Sequence, residues 1–288
     1  MRPKPFQKNK SLSELSTFGI GGEARLFTEV LTVEELQQVL SHCHENALPY
    51  HPVGKGSNSL FDDQGFDGLV ILNRIIFLEI EGSVVNVGGG FSFSLLGVKT
   101  ARKGLGGLEF AAGIPASVGG AIFMNAGANG SETCDVLKEV TFVDEKGQLH
   151  TLLREEIAFS YRYSTFHEKK GVIASAKFHL SEDPTARKKQ LEIIEYRTDT
   201  QPYGEKSCGC IFRNPIGESA GALIEKCGLK GTKIGGAEIS MLHGNFIVNK
   251  AGARAEDVLK LATHVKECIK EKTGIELEME LRVVPNQK

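Results

Sequence analysis

A glycine-rich, uncharged segment near the middle of the chain most constrains what it can fold into. Residues 104–130 read GLGGLEFAAGIPASVGGAIFMNAGANG, and residues 111–131 carry no charged side chain. About 20 uncharged residues are long enough to cross a bilayer, but Pro115, Asn125, Asn129 and the repeated glycines oppose a membrane-spanning helix. Small residues let a backbone approach a ligand closely, and their N–H groups can bind an anion. The segment therefore predicts a loop-and-turn wall around a large, partly anionic ligand.

The composition excludes several classes of protein. The 288 residues accommodate two or three domains, and 41% hydrophobic with 24% charged residues is typical of a globular protein. A net charge of −2 without a basic cluster argues against nucleic acid as a partner. The opening MRPKPFQKNK precedes no apolar run, so we expect no secretory signal, no membrane partner and a cytoplasmic protein.

The six cysteines include no CxxC pair, so we expect mostly reduced thiols and no metal site. Cys208 and Cys210 are separated by one residue, which is not the usual spacing of zinc ligands.

Hydrophobic periodicity predicts an α/β or α+β protein, because helices and strands alternate along the chain. Thr32 and Glu35 have the spacing of a capping box, and Gly274 is placed to end the last long helix. The predicted helices cover 32–47, 94–103, 184–200, 222–227 and 255–272. The predicted strands cover 49–53, 68–72, 83–87, 140–144, 148–152, 171–179, 246–248 and 276–283.

The first candidate site is the turn GKGSN at 54–58, which follows a predicted strand. Successive backbone N–H groups in such a turn suit a pyrophosphate, although a plain hairpin turn is the alternative. The chain contains no G-x-x-x-x-G-K-[ST] P-loop. The glycines at 19–22 lack the strand–turn–helix context that a dinucleotide fingerprint requires.

Two further clusters combine charge with aromatic or thiol groups. Arg162 lies between two tyrosines in SYRYS and can clamp a carboxylate, or it is an exposed arginine on an edge strand. The segment CGCIFRNP at 208–215 predicts an exposed turn with polar reach, and a buried, inert Cys210 is the alternative. Near the end, ELEMELRV at 276–283 alternates strictly. Its acidic face either lines a cleft or is solvated.

These clusters, in this order, resemble the UDP-N-acetylenolpyruvoylglucosamine reductases, the MurB-type flavoenzymes of peptidoglycan synthesis. The similarity spans nearly the whole chain. The matching stretches are STFGIGGEA at 16–24, VGKGSN at 53–58, GLEFAAGIPASVGGAIFMNAGA at 107–128, SYRYS at 160–164, CGCIFRNP at 208–215, GLKGTKIGGAEIS at 228–240, HGNFIVN at 243–249 and LEMELR at 277–282.

The resemblance implies an α+β fold in which a two-subdomain FAD-binding module of the vanillyl-alcohol-oxidase type precedes a separate α/β substrate-binding domain. It implies FAD-binding subdomains at 1–75 and 76–197 and a substrate-binding domain at 198–288. The chain is similar to the shorter subclass of the family, since its end near residue 288 leaves little room for an extra substrate loop. The cofactor-binding positions implied are Gly54, Lys55, Gly56, Ser57, Asn58, Ala112, Gly113, Ile114, Pro115, Ser117, Val118, Gly119 and Gly120.

The resemblance also implies a reaction, in which NADPH reduces the flavin and hydride then reaches C3 of an enolpyruvyl sugar nucleotide. Arg162 matches the residue that binds the substrate carboxylate, and Glu280 matches the one that stabilises the developing enolate. Cys210 stands where most members carry the serine that protonates C2. A thiol, with a reference pKa of about 8.5, is a better acid than an alcohol and should serve.

Other positions carry over from the family as substrate contacts. The implied substrate-binding residues are Tyr161, Arg197, Arg213, Asn214 and Arg282. Thr200 departs from the pattern, because many relatives have lysine there, and this puts one diphosphate contact in doubt. His243 has either a packing role or a site role.

Two other functions remain open at this stage: an FAD-dependent oxidase of a small alcohol or sugar on the same fold, and a non-catalytic flavin- or sugar-nucleotide-binding protein. Cys210 and Glu280 favour the reductase, because an oxidase needs no proton donor there. The sequence does not give the oligomeric state.

Overall fold

The computed structural model describes residues 4–286, and within them the chain forms two compact units. Unit 1 contains residues 4–7, Phe27–Lys55 and Gly68–Arg197. Unit 2 contains Lys8–Leu26, Gly56–Asp67 and the residues from Thr198 onward. Each unit is therefore assembled from segments that are far apart in the sequence.

The chain contains both α-helices and β-strands, which confirms an α+β protein. The helices are α1 (Val33–Glu45), α2 (Phe93–Arg102), α3 (Val118–Phe123), α4 (Ala186–Thr200), α5 (Ala220–Lys226) and α6 (Ala255–Thr273). Single turns of 3-10 helix occupy Leu12–Leu15, Glu109–Ala111, Thr133–Asp135, Arg154–Glu156 and Thr165–His167.

The strands up to residue 164 are β1 (Gln7–Ser11), β2 (Glu23–Val30), β3 (Tyr50–Val53), β4 (Ser59–Phe61), β5 (Phe66–Asn73), β6 (Leu78–Glu81), β7 (Val84–Gly88), β8 (Leu105–Gly106), β9 (Gly127–Ala128), β10 (Ser131–Glu132), β11 (Leu137–Asp144), β12 (Leu149–Leu153), β13 (Phe159–Ser160) and β14 (Tyr163–Ser164). The remaining strands are β15 (Gly171–His179), β16 (Ser181–Glu182), β17 (Ser207–Cys210), β18 (Lys233–Ile234), β19 (Ala237–Ile239), β20 (Phe246–Asn249) and β21 (Arg282–Val284).

Unit 1 is built around an antiparallel sheet of order β12-β11-β15-β7-β6. Its long strand β15 pairs with β11 on one side and β7 on the other, and it is buried over most of its length. One face carries a core that includes Phe93, Phe110, Val118 and Phe178. Strands β3 and β5 of unit 1 pair in parallel, from Tyr50–Leu69 to Val53–Leu72.

Helix α1 shows how the sequence determines a local element. The Thr32 hydroxyl accepts a hydrogen bond from the Glu35 N–H at 3.2 Å, and the Glu35 carboxylate accepts one from the Leu31 N–H at 2.8 Å. These bonds satisfy N–H groups that the first turn leaves without partners. Leu36 and Leu40, on the apolar face, are fully buried. The helix predicted over 32–47 is confirmed.

Unit 2 combines a sheet of order β17-β20-β19-β18 with the long helix α6. Val258, Leu261 and Val265 on one face of α6 are buried in the core of this unit. The helix ends at Gly274, whose φ of 74° is left-handed and favours glycine. Strands β4 and β21 of unit 2 pair in parallel.

The strand predicted over 276–283 is largely wrong. Only Arg282–Val284 is regular strand, and Val283 at its centre is 41% exposed. The alternation fails because the N–H groups of both Glu280 and Leu281 point to the carbonyl of Ile211, which leaves no regular ladder there. The division into two FAD-binding subdomains and a substrate-binding domain stays a prediction.

We predict that Asp63 stabilises unit 2 as an external cap of α6. Its carboxylate accepts hydrogen bonds from the N–H groups of Ala255 (2.8 Å) and Glu256 (3.2 Å). Asp63→Ala should lower the free energy of unfolding in urea by about 1 kcal/mol. Asp67→Ala is the matched control, because its ion pair with Arg25 is exposed and should contribute less than about 0.5 kcal/mol. Equal losses in the two variants would contradict the capping role.

Candidate active site

The GKGSN turn follows β3, and its first glycine leaves no room for a side chain. A Cβ added at Gly54 would lie 2.1 Å from the Ser117 hydroxyl, within unit 1. Ser117 is buried and caps α3, where its hydroxyl accepts a hydrogen bond from the Gly120 N–H at 3.2 Å. The backbone at Gly54 thus packs directly on the cap of the glycine-rich segment.

The chain enters unit 2 inside the same turn. Gly56 has a φ of 60°, and an added Cβ would lie 1.9 Å from the Leu15 carbonyl oxygen. The Gly56 carbonyl accepts hydrogen bonds from the Thr17 N–H (3.3 Å) and the Ser16 hydroxyl (3.4 Å). Only glycine meets both the conformational and the steric requirement at this position.

The donors of this turn suit an anion. Within residues 4–286, the backbone N–H groups of Lys55, Gly56, Ser57 and Asn58 donate to no protein acceptor. Consecutive N–H groups without an internal acceptor bind phosphate oxygens without requiring a cationic side chain. The residues present therefore fit the pyrophosphate of a dinucleotide such as FAD.

The glycine-rich segment is more regular than the loop-and-turn wall that we predicted. It contains helix α3, which begins after Ser117 although Gly119 and Gly120 disfavour a helix. Long-range bonds offset this preference, because the N–H groups of Val118 and Gly119 donate to the carbonyls of Phe91 (2.9 Å) and Gly89 (2.8 Å). That part of the prediction was wrong.

The other predicted flavin contacts of this segment lie just before α3. Ala112 is buried, Pro115 is exposed, and Ile114 is half-buried. Gly113 has a φ of 84°, and its N–H donates to the Ser94 hydroxyl at 2.8 Å.

Arg162 lies in the two-residue turn of the hairpin formed by β13 and β14, not on an edge strand. Its φ of 56° is left-handed, which is uncommon for a residue with a long side chain. The guanidinium lies 4.9 Å from the ring centre of Tyr161 and donates to the Gly127 carbonyl at 3.1 Å. Tyr161 is 41% exposed. The backbone and the aromatic ring together fix where the cation points.

Main-chain pairing in unit 2 joins the segment that contains Cys210 to the segment that contains Glu280. The carbonyl of Ile211, the residue after Cys210, accepts a hydrogen bond from the Glu280 N–H at 2.8 Å. The Glu280 carbonyl in turn accepts a bond from the Asn58 side chain at 3.2 Å. The N–H of Arg282 donates to the Asn58 carbonyl at 3.1 Å. Two segments about 70 positions apart in sequence, one containing Cys210 and the other containing Glu280, are thus paired through their backbones.

The CGC segment is a strand rather than the exposed turn that we predicted. Cys208 is 1% exposed, and burial raises the pKa of its thiol. Cys210 is half-buried, and the ladder with β20 is irregular between Ser207 and Cys210, around Gly209 at a φ of 76°. The two thiols therefore differ in access, and Cys210 is the more exposed.

The predicted substrate-binding residues are placed as follows. In unit 2, Arg213 is half-buried and lies 3.7 Å from the Glu278 carboxylate, while the exposed Asn214 accepts a hydrogen bond from the Ala220 N–H at 3.1 Å. Arg282 begins β21 and is exposed. In unit 1, Arg197 lies in α4, and its buried Nη1 has no hydrogen-bond acceptor within residues 4–286.

Asn245 fixes the strand beside Cys210, and this role was not predicted from the sequence. It is 2% exposed; its side chain accepts a bond from the Phe212 N–H (3.0 Å) and donates to the Phe212 carbonyl (2.8 Å). Its carbonyl accepts the Ile211 N–H at 2.9 Å. The only sequence indication was an asparagine in the apolar stretch HGNFIVN.

His243 supports Asn245 from behind. Its Nδ1 accepts a hydrogen bond from the Asn245 N–H at 3.2 Å, so this nitrogen carries no proton. The ring packs edge-on against Phe246 at 4.8 Å. Burial, and then the charge of Lys230, lower the pKa of His243 below its ordinary value. These contacts favour the packing role of His243 over a role in the site.

No cluster of three or more His, Cys, Asp or Glu side chains in residues 4–286 is arranged to hold a metal ion. None of the helices in that part of the chain is both long and apolar enough to span a bilayer.

We predict that acid destabilises unit 2 through His243. Its folded-state pKa is below the unfolded value of about 6.5, so the unfolded chain binds the proton more readily and stability falls as pH drops through that value. The loss of thermal stability between pH 7.5 and pH 5.5 should be smaller in His243→Gln than in the unaltered protein. An equal loss in both proteins would show that His243 does not contribute.

Two family models match the chain. The FAD binding domain matches residues 24–153, and the C-terminal domain of UDP-N-acetylenolpyruvoylglucosamine reductase matches residues 201–284. These segments confirm that an FAD-binding module precedes a separate C-terminal domain.

Relatives of known name match over nearly the full length. The UDP-N-acetylenolpyruvoylglucosamine reductase of Protochlamydia amoebophila is 57% identical over 98% of this chain and 95% of its own. That of Chlamydia trachomatis serovar A is 49% identical over 98% of this chain and 97% of its own. The crystal structure of the reductase (MurB) from Thermus caldophilus superposes with a TM-score of 0.84 at 38% identity, covering 98% of this chain and all of that one. The chain therefore belongs to the UDP-N-acetylenolpyruvoylglucosamine reductase family of FAD-dependent oxidoreductases.

Proposed function

We propose that this protein reduces the enolpyruvyl ether of UDP-N-acetylglucosamine-enolpyruvate to UDP-N-acetylmuramate, a step in peptidoglycan precursor synthesis, with FAD as cofactor and NADPH as reductant. Family membership and the full-length match to named reductases support this reaction. We propose that the reaction takes place in the cytoplasm, where thiols such as that of Cys210 are kept reduced.

The GKGSN turn and the segment around α3 are proposed to hold FAD. The N–H groups of residues 55–58, which donate to no acceptor in the part of the chain that the structure describes, would bind its pyrophosphate, and within unit 1 the packing of Gly54 on Ser117 would fix the start of the turn. When bound, FAD supplies the hydride that adds to C3 of the enolpyruvyl group.

Arg162 is proposed to bind the substrate carboxylate. Adding hydride to C3 leaves negative charge at C2, which spreads into the carboxylate as an enolate. A guanidinium held in one orientation stabilises this charge more strongly as it develops, and this lowers the barrier. The contacts of Arg162 with Tyr161 and Gly127 supply that orientation before substrate binds.

The main-chain bond between Ile211 and Glu280, which joins the segments that contain Cys210 and Glu280, is the observation that carries the proposed function. Cys210 would donate its proton to C2 and collapse the enolate to the saturated ether. Glu280, in its carboxylic-acid form, would donate a hydrogen bond to the enolate while this transfer occurs. Asn58 supports the pair by accepting and donating main-chain bonds on the Glu280 side.

Contacts to the rest of the sugar nucleotide are proposed for Tyr161, Arg197, Arg213, Asn214 and Arg282. Arginines are suited to the diphosphate because their donors match two oxygens at once. The buried Nη1 of Arg197, which lacks a protein acceptor within residues 4–286, is a donor available for such a group.

The reaction can be tested by anaerobic absorption spectroscopy of the FAD-loaded protein. NADPH should bleach the flavin band, and UDP-N-acetylglucosamine-enolpyruvate should restore it. Restoration by air alone, at an equal rate, would instead favour an oxidase. Failure of NADPH to bleach the band would contradict the reductase.

We predict that Cys210→Ala slows recovery of the band by a factor of about 10² to 10⁴, because the proton donor is lost. Bleaching by NADPH should not change, and Cys210→Ser should retain recovery within about tenfold of the unaltered protein. Cys208→Ser is the matched control, since this thiol is buried. If Cys210→Ala recovers at the normal rate, another group supplies the proton.

We predict that Gly54→Ala weakens retention of FAD. The new methyl group would lie 2.1 Å from the Ser117 hydroxyl, so it would displace that hydroxyl and with it the cap of α3. The dissociation constant for FAD, measured by fluorescence quenching, should rise at least about tenfold. Gly204→Ala is the control, because an added Cβ there meets nothing within 4 Å. Unchanged FAD affinity in Gly54→Ala would contradict the role of this turn in binding FAD.

A further inference from the structure

Asn125 is a fully buried polar residue in the uncharged glycine-rich segment. Its relative exposure is 0%, and its φ of 43° is left-handed, a conformation that asparagine tolerates better than most residues. It follows α3 in unit 1, and its own N–H donates to the Ile122 carbonyl at 3.1 Å. Nothing in the proposed reaction uses it directly.

The side-chain amide of Asn125 makes three hydrogen bonds to two separate segments, residues 132–134 and Ser160. Its Nδ2 donates to the Glu132 carboxylate at 2.7 Å and to the Ser160 carbonyl at 3.1 Å. Its Oδ1 accepts a bond from the Cys134 N–H at 3.1 Å. A buried amide bonded in this way holds its partners firmly, since losing any one bond leaves a polar group without a partner.

One of these bonds fixes the backbone that carries Arg162. Ser160 is the last residue of β13, and it pairs with Tyr163 across the two-residue turn that contains Arg162. Anchoring the Ser160 carbonyl therefore anchors the base of the turn. A left-handed residue in a short turn depends on such external support.

Another bond fixes the acceptor of the Arg162 guanidinium. Glu132 pairs with Gly127 in the hairpin of β9 and β10. The Gly127 carbonyl accepts the bond from Arg162 Nη2 at 3.1 Å. Asn125 thus connects, through Ser160 and through Glu132, to both ends of the same arginine.

We propose that Asn125 is the positioning residue for Arg162, with Glu132 as its link to the guanidinium end. The proposal rests on the proposed function, in which Arg162 binds the substrate carboxylate. Asn125 itself touches neither substrate nor cofactor. Its role is to hold the turn and the Gly127 carbonyl in register, so that the cation is already oriented when the carboxylate arrives.

The test compares binding of two nucleotides by the FAD-loaded protein, measured by calorimetric titration. UDP-N-acetylmuramate carries the carboxylate that Arg162 would bind, and UDP-N-acetylglucosamine lacks it. Asn125→Ala should weaken the first by about tenfold and the second by less than about twofold. Arg162→Ala should show the same carboxylate-specific loss, at least as large.

A double-mutant cycle then distinguishes positioning from general support. If Asn125 acts through Arg162, adding Asn125→Ala to Arg162→Ala should cause little further loss of UDP-N-acetylmuramate binding. Additive losses would overturn the proposal. If Arg162→Ala shows no carboxylate-specific loss, the proposed role of Arg162 fails instead.

Two further variants keep the test valid if Asn125→Ala folds poorly. Glu132→Ala removes one acceptor of the amide and should give a smaller loss, again specific to UDP-N-acetylmuramate. Asn249→Ala is the matched control, because this unit 2 asparagine also links two segments, through the Phe18 carbonyl and the Ala253 N–H. The melting temperature of Asn249→Ala should fall. Any loss of affinity in this variant should be equal for the two nucleotides. A carboxylate-specific loss in Asn249→Ala, or none in Glu132→Ala, would contradict the proposal.

Discussion

The candidate site depends on a main-chain hydrogen bond, from the Glu280 N–H to the Ile211 carbonyl. Main-chain atoms have little freedom once both segments are held, so the bond fixes the backbone beside Cys210 relative to the backbone at Glu280. Asn245 secures one partner through two bonds to Phe212, and Asn58 secures the other through the Glu280 carbonyl. Buried amides are suited to this role, because each supplies donors and an acceptor without a charge to desolvate.

In unit 1, a buried asparagine likewise holds the backbone around a residue of the candidate site. Arg162 is held in a left-handed turn, and the buried amide of Asn125 connects that turn to the hairpin containing Gly127. In both units an asparagine that performs no chemistry bonds to the backbone around a residue that is proposed to perform it. Such residues change neither the composition nor the charge of a sequence in a recognisable way. The residues that perform the chemistry are therefore easier to predict from the sequence than the residues that position them.

Local elements were predictable from the sequence, and long-range contacts were not. The capping residues of α1 and the strand Gly171–His179 followed from capping and periodicity rules. The helix α3 was missed because its two glycines disfavour a helix, and distant carbonyls such as that of Gly89 overcome this. The strand at 276–283 was predicted too long. The alternation of polar and apolar residues cannot show that two successive N–H groups, those of Glu280 and Leu281, donate to one carbonyl. The positions of Arg162, Cys210 and Glu280 in the sequence came from family resemblance. Their surroundings required the structure.

The segmented make-up of unit 2 also bears on how the protein is made. All of unit 1 up to Arg197 leaves the ribosome before the final stretch of unit 2, which begins at Thr198. The segments Lys8–Leu26 and Gly56–Asp67 must therefore wait while more than two hundred further residues are made, roughly 10 to 50 s at ordinary rates of synthesis. During that interval apolar residues such as Phe18 and Leu60, which end in the core of unit 2, have no core to enter. The nascent chain thus leaves these apolar side chains without their core for a time that is set by the rate of translation.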